Sequence, residues 1–519
     1  MTVSRILAFP GAYRDSLLLL GATRAMQDSD DVSWASASMA TPGIVEDLEG
    51  RGFPPDSLAG ADANALVLAV EAAEDPAASQ ALDRGRALLF AEAGADRTGA
   101  AADRRGHRAQ PEPRTVGEAA RLLPEANVAV VSVPGPYAAI AAHSALTAGL
   151  HVLLFSDNVP VSDEVALKRR ASGLGRLVMG PGAGTAMLGG VGLGFANAVG
   201  AGPVGVVAAA GTGAQEVMTL LDHWGIGVSQ VIGVGGRDLS AEVGGLMARD
   251  AVRALDADPG TEVILLVSKP PDQDVARTVI GASRGTPVVA ACLGMSAPEG
   301  GLAGASLAAT LEGGALRVAE ILGRDVPDLS GSPGAAAAIA RVGAGRTAVR
   351  GFFTGGTLCY EAQVILSRAL GPVYSNIPLR RDLGLSELAR PAPAGTHICL
   401  DLGEEEYTKG RPHPMIDPAA RREIMREQAF GPDVAAVLLD VVLGYASHPD
   451  PAGEIAATCA DIVAGGAAVV CYVLGAHGDQ QGLDRQRAKL AEAGAIVTES
   501  AAQAARTAAA IALRSGQRP

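Results

Sequence analysis

A strand, a glycine turn and a helix, written twice, constrain this chain more than any other feature. In the first copy, residues 204–209 are an apolar run of strand length and Gly211-Thr212-Gly213 strips side chains from a sharp turn. Residues 214–224 then carry apolar positions at helical period. The second copy starts at Thr347, where TAVRGFFTGGTLCYEAQVILSRAL sets a strand, Gly355-Gly356-Thr357 and a helix in the same order. Gly211-Thr212 and Glu216 answer to Gly356-Thr357 and Glu361, residues 231–238 to 398–407, and residues 262–271 to 434–445. Two successive α/β domains of one design follow, with loops able to face each other across a shared site. A helix that opens on bare glycines aims free N–H groups and its positive end past the strand tip. One such motif is most often an ordinary βα turn, but its repetition favours an anion site built from Gly211, Thr212, Gly213, Gly355, Gly356 and Thr357.

At 519 residues the chain exceeds one hydrophobic core and predicts three or four domains. The net charge of −14 excludes non-specific nucleic-acid binding, which needs a basic face. No run of 18 apolar residues occurs and the first residues lack a signal-peptide layout, so the expectation is a soluble cytoplasmic protein with no membrane contact. The five cysteines (Cys292, Cys359, Cys399, Cys459 and Cys471) have no C-x-x-C spacing and define neither a disulfide frame nor a metal site. Cys359, in the first turn of a helix, is not read as a nucleophile.

Residues 1–92 predict a small α/β domain: strands over 5–9, 32–39 and 65–70, helices over 15–26 and 42–50, and a last helix to about 90. No G-x-G-x-x-G follows the first strand, so a dinucleotide fingerprint is absent. Residues 93–114 mix charge, Gly, Ala and Pro and predict a flexible linker that includes His107. Residues 115–200 predict a Rossmann-like half domain with strands over 128–133, 152–155 and 176–179 and helices over 115–123, 137–148 and 162–173. It ends in MGPGAGTAM (179–187), either a crossover or a ligand loop that uses Gly180 and Gly184. Residues 201–342 and 343–519 are the two glycine-loop domains. His143 and His151 are read as structural.

Arg237 and Asp238 follow a strand and a glycine pair, at the edge where open α/β sheets bind ligands. Arg237 suits a carboxylate or phosphate, or pairs with Asp238 or Glu242. Lys269 closes the strand before Pro270-Pro271, as a ligand group or a surface lysine. In EEEYTKGRPHPMIDP (404–418), prolines fix a loop that carries Lys409, Arg411, His413 and Asp417. His413 is an acid–base candidate near neutral pH or a hydrogen-bonded spacer.

Residues 133–187 resemble the second half of the CoA-binding domain in the succinyl-CoA synthetase α subunit. The two glycine-loop domains resemble the phosphate-handling domains of that superfamily, one from each subunit, fused in one chain. A closer resemblance, over nearly the whole chain, is to the FdrA family. It rests on FSDN (155–158), GFAN (194–197), AAGTG (209–213), IGVGGRDLSAEVGG (232–245), SKPP (268–271), FTGGTL (353–358) and YTKGRPHPMIDP (407–418). The resemblance implies an α/β chain of several Rossmann-like or flavodoxin-like parallel-sheet domains, succinyl-CoA synthetase-like, with a small N-terminal α/β domain. It also implies a carbamoyltransferase subunit of allantoin catabolism, acting on oxamate and carbamoyl phosphate or, in reverse, on oxalurate and phosphate, with partner subunits or as a homo-oligomer.

Glu216 and Glu361 resemble the glutamates that contact phosphohistidine in the ligases, and here either orient an amide nitrogen or accept its proton. Each is equally a first-turn carboxylate that favours its helix dipole. In the ligases a G-H-A-G loop carries the phosphoryl group, whereas this chain has Gly301-Leu302-Ala303-Gly304, and leucine accepts no phosphoryl group. Phosphate and carbamoyl phosphate are thus implied as substrates without a phosphoenzyme. The first half of the ligase CoA domain is not recognisable in residues 1–92, which leaves CoA doubtful, and no other cofactor is implied. Gly182-Ala183 stand where relatives carry Asp-Cys. The rival readings are an ADP-forming acyl-CoA synthetase and a non-catalytic scaffold or sensing subunit.

Overall fold

A computed structural model of the chain describes residues 3–12, 14, 16–29, 31–58, 65–90, 113–296, 305–387, 393–408 and 412–516. Residues 93–112 of the expected linker, with Lys409, Arg411 and Leu302, lie outside the described residues. The chain divides into two units, residues 1–112 with 405–412, and residues 113–404 with 413–519.

In the first unit, β1 (Val3–Phe9) and β2 (Val32–Met39) flank β3 (Leu66–Ala72), both antiparallel to it. β3 is central because LVLAVEA is apolar on both faces, whereas β1 is half exposed. Helices Ser16–Gln27 and Asp75–Phe90 cover one face through Leu19, Met26, Ala78 and Leu82. Phe53, Leu48 and Leu58 pack on the other, with Trp34 tilted 5.8 Å from Phe53.

The second unit starts with a parallel sheet of β4 (Val128–Val131), β5 (His151–Leu154) and β6 (Val178–Met179). A seven-stranded sheet follows: β7 (Thr185–Leu188), β8 (Val191–Gly194), β9 (Ala201–Ala209), β10 (Val228–Gly233), β11 (Val263–Ser268), β12 (Val288–Cys292) and β13 (Ala305–Leu307). The third sheet comprises β14 (Ala348–Phe353), β15 (Val373–Ser375), β16 (His397–Asp401), β17 (Val434–Val442), β18 (Ala468–Leu474) and β19 (Ile496–Thr498).

The seven strands run β13-β12-β11-β9-β10-β7-β8, and the six run β15-β16-β14-β17-β18-β19. Set β9 against β14 and the five parallel strands β10-β9-β11-β12-β13 coincide in order with β16-β14-β17-β18-β19. The doubly wound design puts a switch point at the carboxyl ends of β9 and β14. The additions are the edge strand β15 and the hairpin β7–β8, whose Gly189-Gly190 turn has φ of +57° and +79°. The first strand of that hairpin takes up the last three residues, 185–187, of the expected 179–187 loop.

One apolar core runs through both repeats, joining Val217 and Leu221 of helix Gly211–His223 to Leu358 and Leu366 of helix Gly356–Leu370 and to Ala505 and Ile511 of helix Ala501–Gly516. A second core joins the β4–β6 layer to the first repeat through Leu154, Met179, Ile232 and Met247. Small residues let these layers approach closely: a Cβ on Gly205 would stand 2.8 Å from Thr261 Cγ2. No helix among the described residues is long and apolar enough to cross a membrane.

Candidate functional site

Helix Gly211–His223 follows β9 through Ala210, and helix Gly356–Leu370 follows β14 through Thr354 and Gly355. Neither N-cap residue supplies a side-chain hydrogen bond, so the first-turn N–H groups depend on other partners. The two first turns pack against each other. A Cβ on Gly213 would stand 2.8 Å from Thr357 Cγ2, and one on Gly355 would stand 2.6 Å from Thr212 Oγ1. Only glycine permits that approach, which brings two positive helix ends together. Thr357 Oγ1 is buried and has no hydrogen-bond partner among the described residues.

The second turn already holds one anion, a carboxylate of the protein. Asp440, an acid inside the apolar strand β17, accepts from Thr354 N (2.9 Å), Thr354 Oγ1 (3.1 Å) and Gly355 N (3.0 Å). Arg421 lies 3.2 Å from Asp440 and donates to Phe352 O. Burial raises the Asp440 carboxyl from its usual range while Arg421 opposes the rise.

Beyond this turn, at Gly356, the repeats contribute jointly. A Cβ there would collide with Asp401 Oδ2 and stand 3.0 Å from Lys269 Nζ. Lys269 comes from the end of β11 in the first repeat, Asp401 from the end of β16 in the second. Asp401 is held by Asn376, which bonds both its N–H and its carbonyl, and its Oδ1 accepts from Gly403 N. Its Oδ2 accepts no hydrogen bond among the described residues. Burial pushes this carboxyl up to about 7, against the pull of Lys269. The Lys269 ammonium lies 5.9 Å from the Tyr360 ring centroid and has no ion-pair partner among the described residues. His413 Nε2 abuts Gly403, and its Nδ1 accepts from Met415 N at 3.2 Å. Burial holds the imidazole down at about 4, hence neutral, with its proton on Nε2.

Glu216 and Glu361 are fully buried and exchange caps across the repeats. Glu216 Oε1 accepts from Ala501 N (3.2 Å), the start of the last helix of the second repeat. Glu361 Oε1 accepts from Leu311 N (2.6 Å), the start of the corresponding helix Leu311–Ile321 in the first. Their Oε2 atoms have no hydrogen-bond partner among the described residues. Burial pushes Glu361 up to about 8, and burial plus the neighbouring Glu361 raises Glu216 well above the carboxylate range. Glu361 therefore keeps a proton that the unfolded chain releases near 4.5. The stability it contributes is complete below that pH and is lost progressively up to about 8, at up to about 1.4 kcal/mol per pH unit. Glu361→Gln is expected to match wild type in melting temperature at pH 4 and to melt higher at pH 8.5; equal melting at both would show an ionised carboxylate already accommodated in the fold.

Other expected ligand residues have partners within the protein. Asp238 accepts from Met247 N and Ala248 N at the start of helix Leu246–Asp256 and from Lys168 Nζ (2.7 Å). Lys168 is fully buried and also bonds Glu164 (2.7 Å) and Val234 O (2.9 Å). Arg237 pairs with Glu164 at 2.9 Å and donates to Val159 O. Gly180 has φ +119°, and a Cβ on it would meet the Leu154 carbonyl; one on Gly184 would stand 3.3 Å from Phe195. Asp417 accepts from Ala419 N at the start of helix Ala419–Gln428. All five cysteines are buried and free, and burial raises Cys359 well above the usual thiol range, consistent with a packing role. The geometry thus gathers Lys269, Gly356 and Thr357 with Asp401, Tyr360 and His413, and leaves Arg237 and Asp238 in the buried lysine network. Asp401 and Asp440 were legible only as acids closing or interrupting apolar strands.

Comparison with known proteins gives this geometry a family. Residues 352–511 match the family described as CoA-ligase, and residues 1–105 match "AllF, heavy metal-associated domain". The chain is 37% identical over 508 residues to "Uncharacterized protein YahF" of Escherichia coli (strain K12), covering 96% of each chain. It is 29% identical over 196 residues to the succinate–CoA ligase [ADP-forming] subunit alpha of Methanothermobacter thermautotrophicus, covering 37% of this chain and 64% of that one. Among solved structures, a dinucleotide-forming acetyl-coenzyme A synthetase 1 of Ca. Korarchaeum cryptofilum is 16% identical over 75% of this chain and 83% of that one, with a TM-score of 0.28.

A heavy-metal domain implies a metal, but residues 1–105 contain neither Cys nor His. Among the described residues no group of three or more His, Cys, Asp or Glu could hold one, so the soft donors do not fit. CoA finds no glycine loop after β4 either: the carbonyls of Asp157 and Asn158 lie against Gly135, at the start of helix Gly135–Thr147, where a phosphate would approach. The paired glycine loops, the CoA-ligase match and the full-length likeness to YahF place this chain in the succinyl-CoA synthetase/acyl-CoA synthetase-like superfamily.

Proposed function

We propose that the chain is a group-transfer enzyme, or a subunit of one, that binds an acyl phosphate at the amino-terminus of helix Gly356–Leu370 and transfers its acyl group to an acceptor without a phosphoenzyme. The observation that carries this reading is the unpaired Lys269, which reaches over Gly356 from the opposite repeat. A cation beside a positive helix end favours an anion between them, and Asp401, with its carboxyl near 7, supplies only part of that charge. The first-turn N–H groups would hold the phosphoryl oxygens, and Lys269 would neutralise charge as the acyl–oxygen bond breaks. Asp440 and Arg421 keep the turn in shape.

Two acceptors are compatible. ADP-forming acyl-CoA ligation, in which a thiol accepts the acyl group, is favoured by relatives whose names are succinate–CoA, malate–CoA and sulfoacetate–CoA ligase subunits. Carbamoyl transfer between carbamoyl phosphate and oxamate is the second reading. It is favoured by Leu302 at the carrier-histidine position and by the FdrA-like motifs. The ligase reading places this chain beside a nucleotide-binding partner; the carbamoyl reading requires none for the chemical step.

Phosphate and acetyl phosphate are expected to raise the melting temperature of the wild-type protein, about 2.7 kcal/mol of stabilisation at a hundredfold excess over Kd. Labelled ATP or acetyl phosphate is expected to leave no acid-labile phosphohistidine. No stabilisation by either anion would count against the site, and a stable phosphohistidine would decide for the ligase with a carrier other than residue 302.

A further inference from the structure

We infer that Asp401 is the proton-transfer group of this site, exchanging a proton between the incoming acceptor and the departing phosphate. This rests on the acyl-phosphate reading and assigns the acid–base role to a residue other than Glu216, Glu361 or His413. The two glutamates face the starts of helices Ala501–Gly516 and Leu311–Ile321. His413 uses Nδ1 on a backbone amide and stays neutral throughout the physiological range.

Asp401 alone combines three properties. It is 3% exposed, so its carboxyl sits out of bulk water. Asn376 and Gly403 fix its backbone and Oδ1, which leaves Oδ2 directed at Gly356 with no hydrogen bond from the described residues. Lys269, over the same glycine, supplies the charge that lets a carboxylate and a phosphate share the space. A carboxyl near 7 is populated in both forms at neutral pH, which suits a group that must take and return a proton.

The step balances within the site. As the acceptor's sulfur or nitrogen bonds to the acyl carbon, its S–H or N–H proton passes to the Asp401 carboxylate. The carbon–oxygen bond to phosphate breaks with its electron pair on the phosphate oxygen. Asp401 then hands the proton to that phosphate and ends as it began.

Sulfate keeps its charge across the neutral range and therefore reads the protein's titration alone. Facing Asp401 are Lys269 at the end of β11, Tyr360 on helix Gly356–Leu370, Asp440 on β17, and Glu404 and His413 after β16. Glu361 titrates in the same window, but it does so in wild type and variant alike. Calorimetric titration with sulfate at pH 5.5 and 8.5 is expected to show wild-type affinity falling about tenfold or more as Asp401 ionises beside the anion, and Asp401→Asn losing that fall. Equal pH dependence in the two proteins would overturn the assignment to Asp401 while leaving the anion site standing. No sulfate or phosphate binding by wild type at either pH would remove the acyl-phosphate site and this role with it.

Discussion

Lys168→Met is expected to lower stability by about 3–5 kcal/mol, because it leaves two carboxylates in a site from which water is excluded. Lys168, Glu164 and Asp238 have side chains with no exposed surface, and the ammonium is bonded to both acids at 2.7 Å and to Val234 O at 2.9 Å. Glu164 keeps Arg237, and Asp238 keeps the amides of Met247 and Ala248, but Arg237 is 44% exposed and screened by solvent. The network ties helix Val161–Gly173 of the half domain to the loop after β10 and to helix Leu246–Asp256. Its loss should therefore loosen one junction rather than one element. A urea titration reads the effect as a lower midpoint, and adding Glu164→Gln to Lys168→Met should restore part of it by removing one stranded charge. A change of less than about 1 kcal/mol would mean that water reaches the site.

The same network shows what periodicity conceals. Glu164 and Lys168 stand four apart on a helix, the spacing of an ordinary solvated pair, and their partner Asp238 lies 70 positions beyond Lys168. Nothing local marks them as buried. Arg237-Asp238 was conspicuous for the opposite reason, a charged pair at the carboxyl end of a strand. The position was read as a sheet edge, and there the neighbouring half domain supplies the partners, Glu164 and Val159 O to Arg237 and Lys168 to Asp238.

The duplicated glycine turns were legible because close backbone approach leaves only glycine, and their spacing repeats. β10 with β16 and β11 with β17, matched by sequence, lie at like positions in their sheets. The hairpin β7–β8 was lost among glycines that also suit a loop, although the Gly-Gly turn between two short apolar runs carried the signal. Glu216 and Glu361 were legible as a pair but not by destination, since the amides they cap belong to Ala501 and Leu311, 285 and 50 positions away. Asp401 was hidden in plain view at the end of HICLD, where a lone acid closing an apolar strand is common and only the opposing Lys269 gives it meaning.

Gly356→Ala is expected to abolish anion binding and to cost about 1–3 kcal/mol of stability, because the added methyl overpacks a buried junction. Gly356 is the first residue of its helix, so the gain of about 0.5–1 kcal/mol that alanine brings to a helix interior offsets at most part of that cost. Its φ lies outside the left-handed region, so no backbone strain follows. The added methyl would meet Asp401 Oδ2 and stand 3.0 Å from Lys269 Nζ, in the volume assigned to the phosphoryl group. Lysine can swing away; Asp401, anchored by Asn376 and Gly403, cannot. At the other end of the same helix, Gly371 has φ +91° and no atom within 4 Å of a Cβ. Gly371→Ala should lose a comparable amount, about 1 kcal/mol or more, from strain alone with phosphate binding intact. Calorimetric phosphate titration and thermal melting of both variants separate the two effects. If Gly356→Ala binds phosphate as wild type does, the anion does not lie over that glycine, and Lys269 and Asp401 serve the junction between the repeats instead.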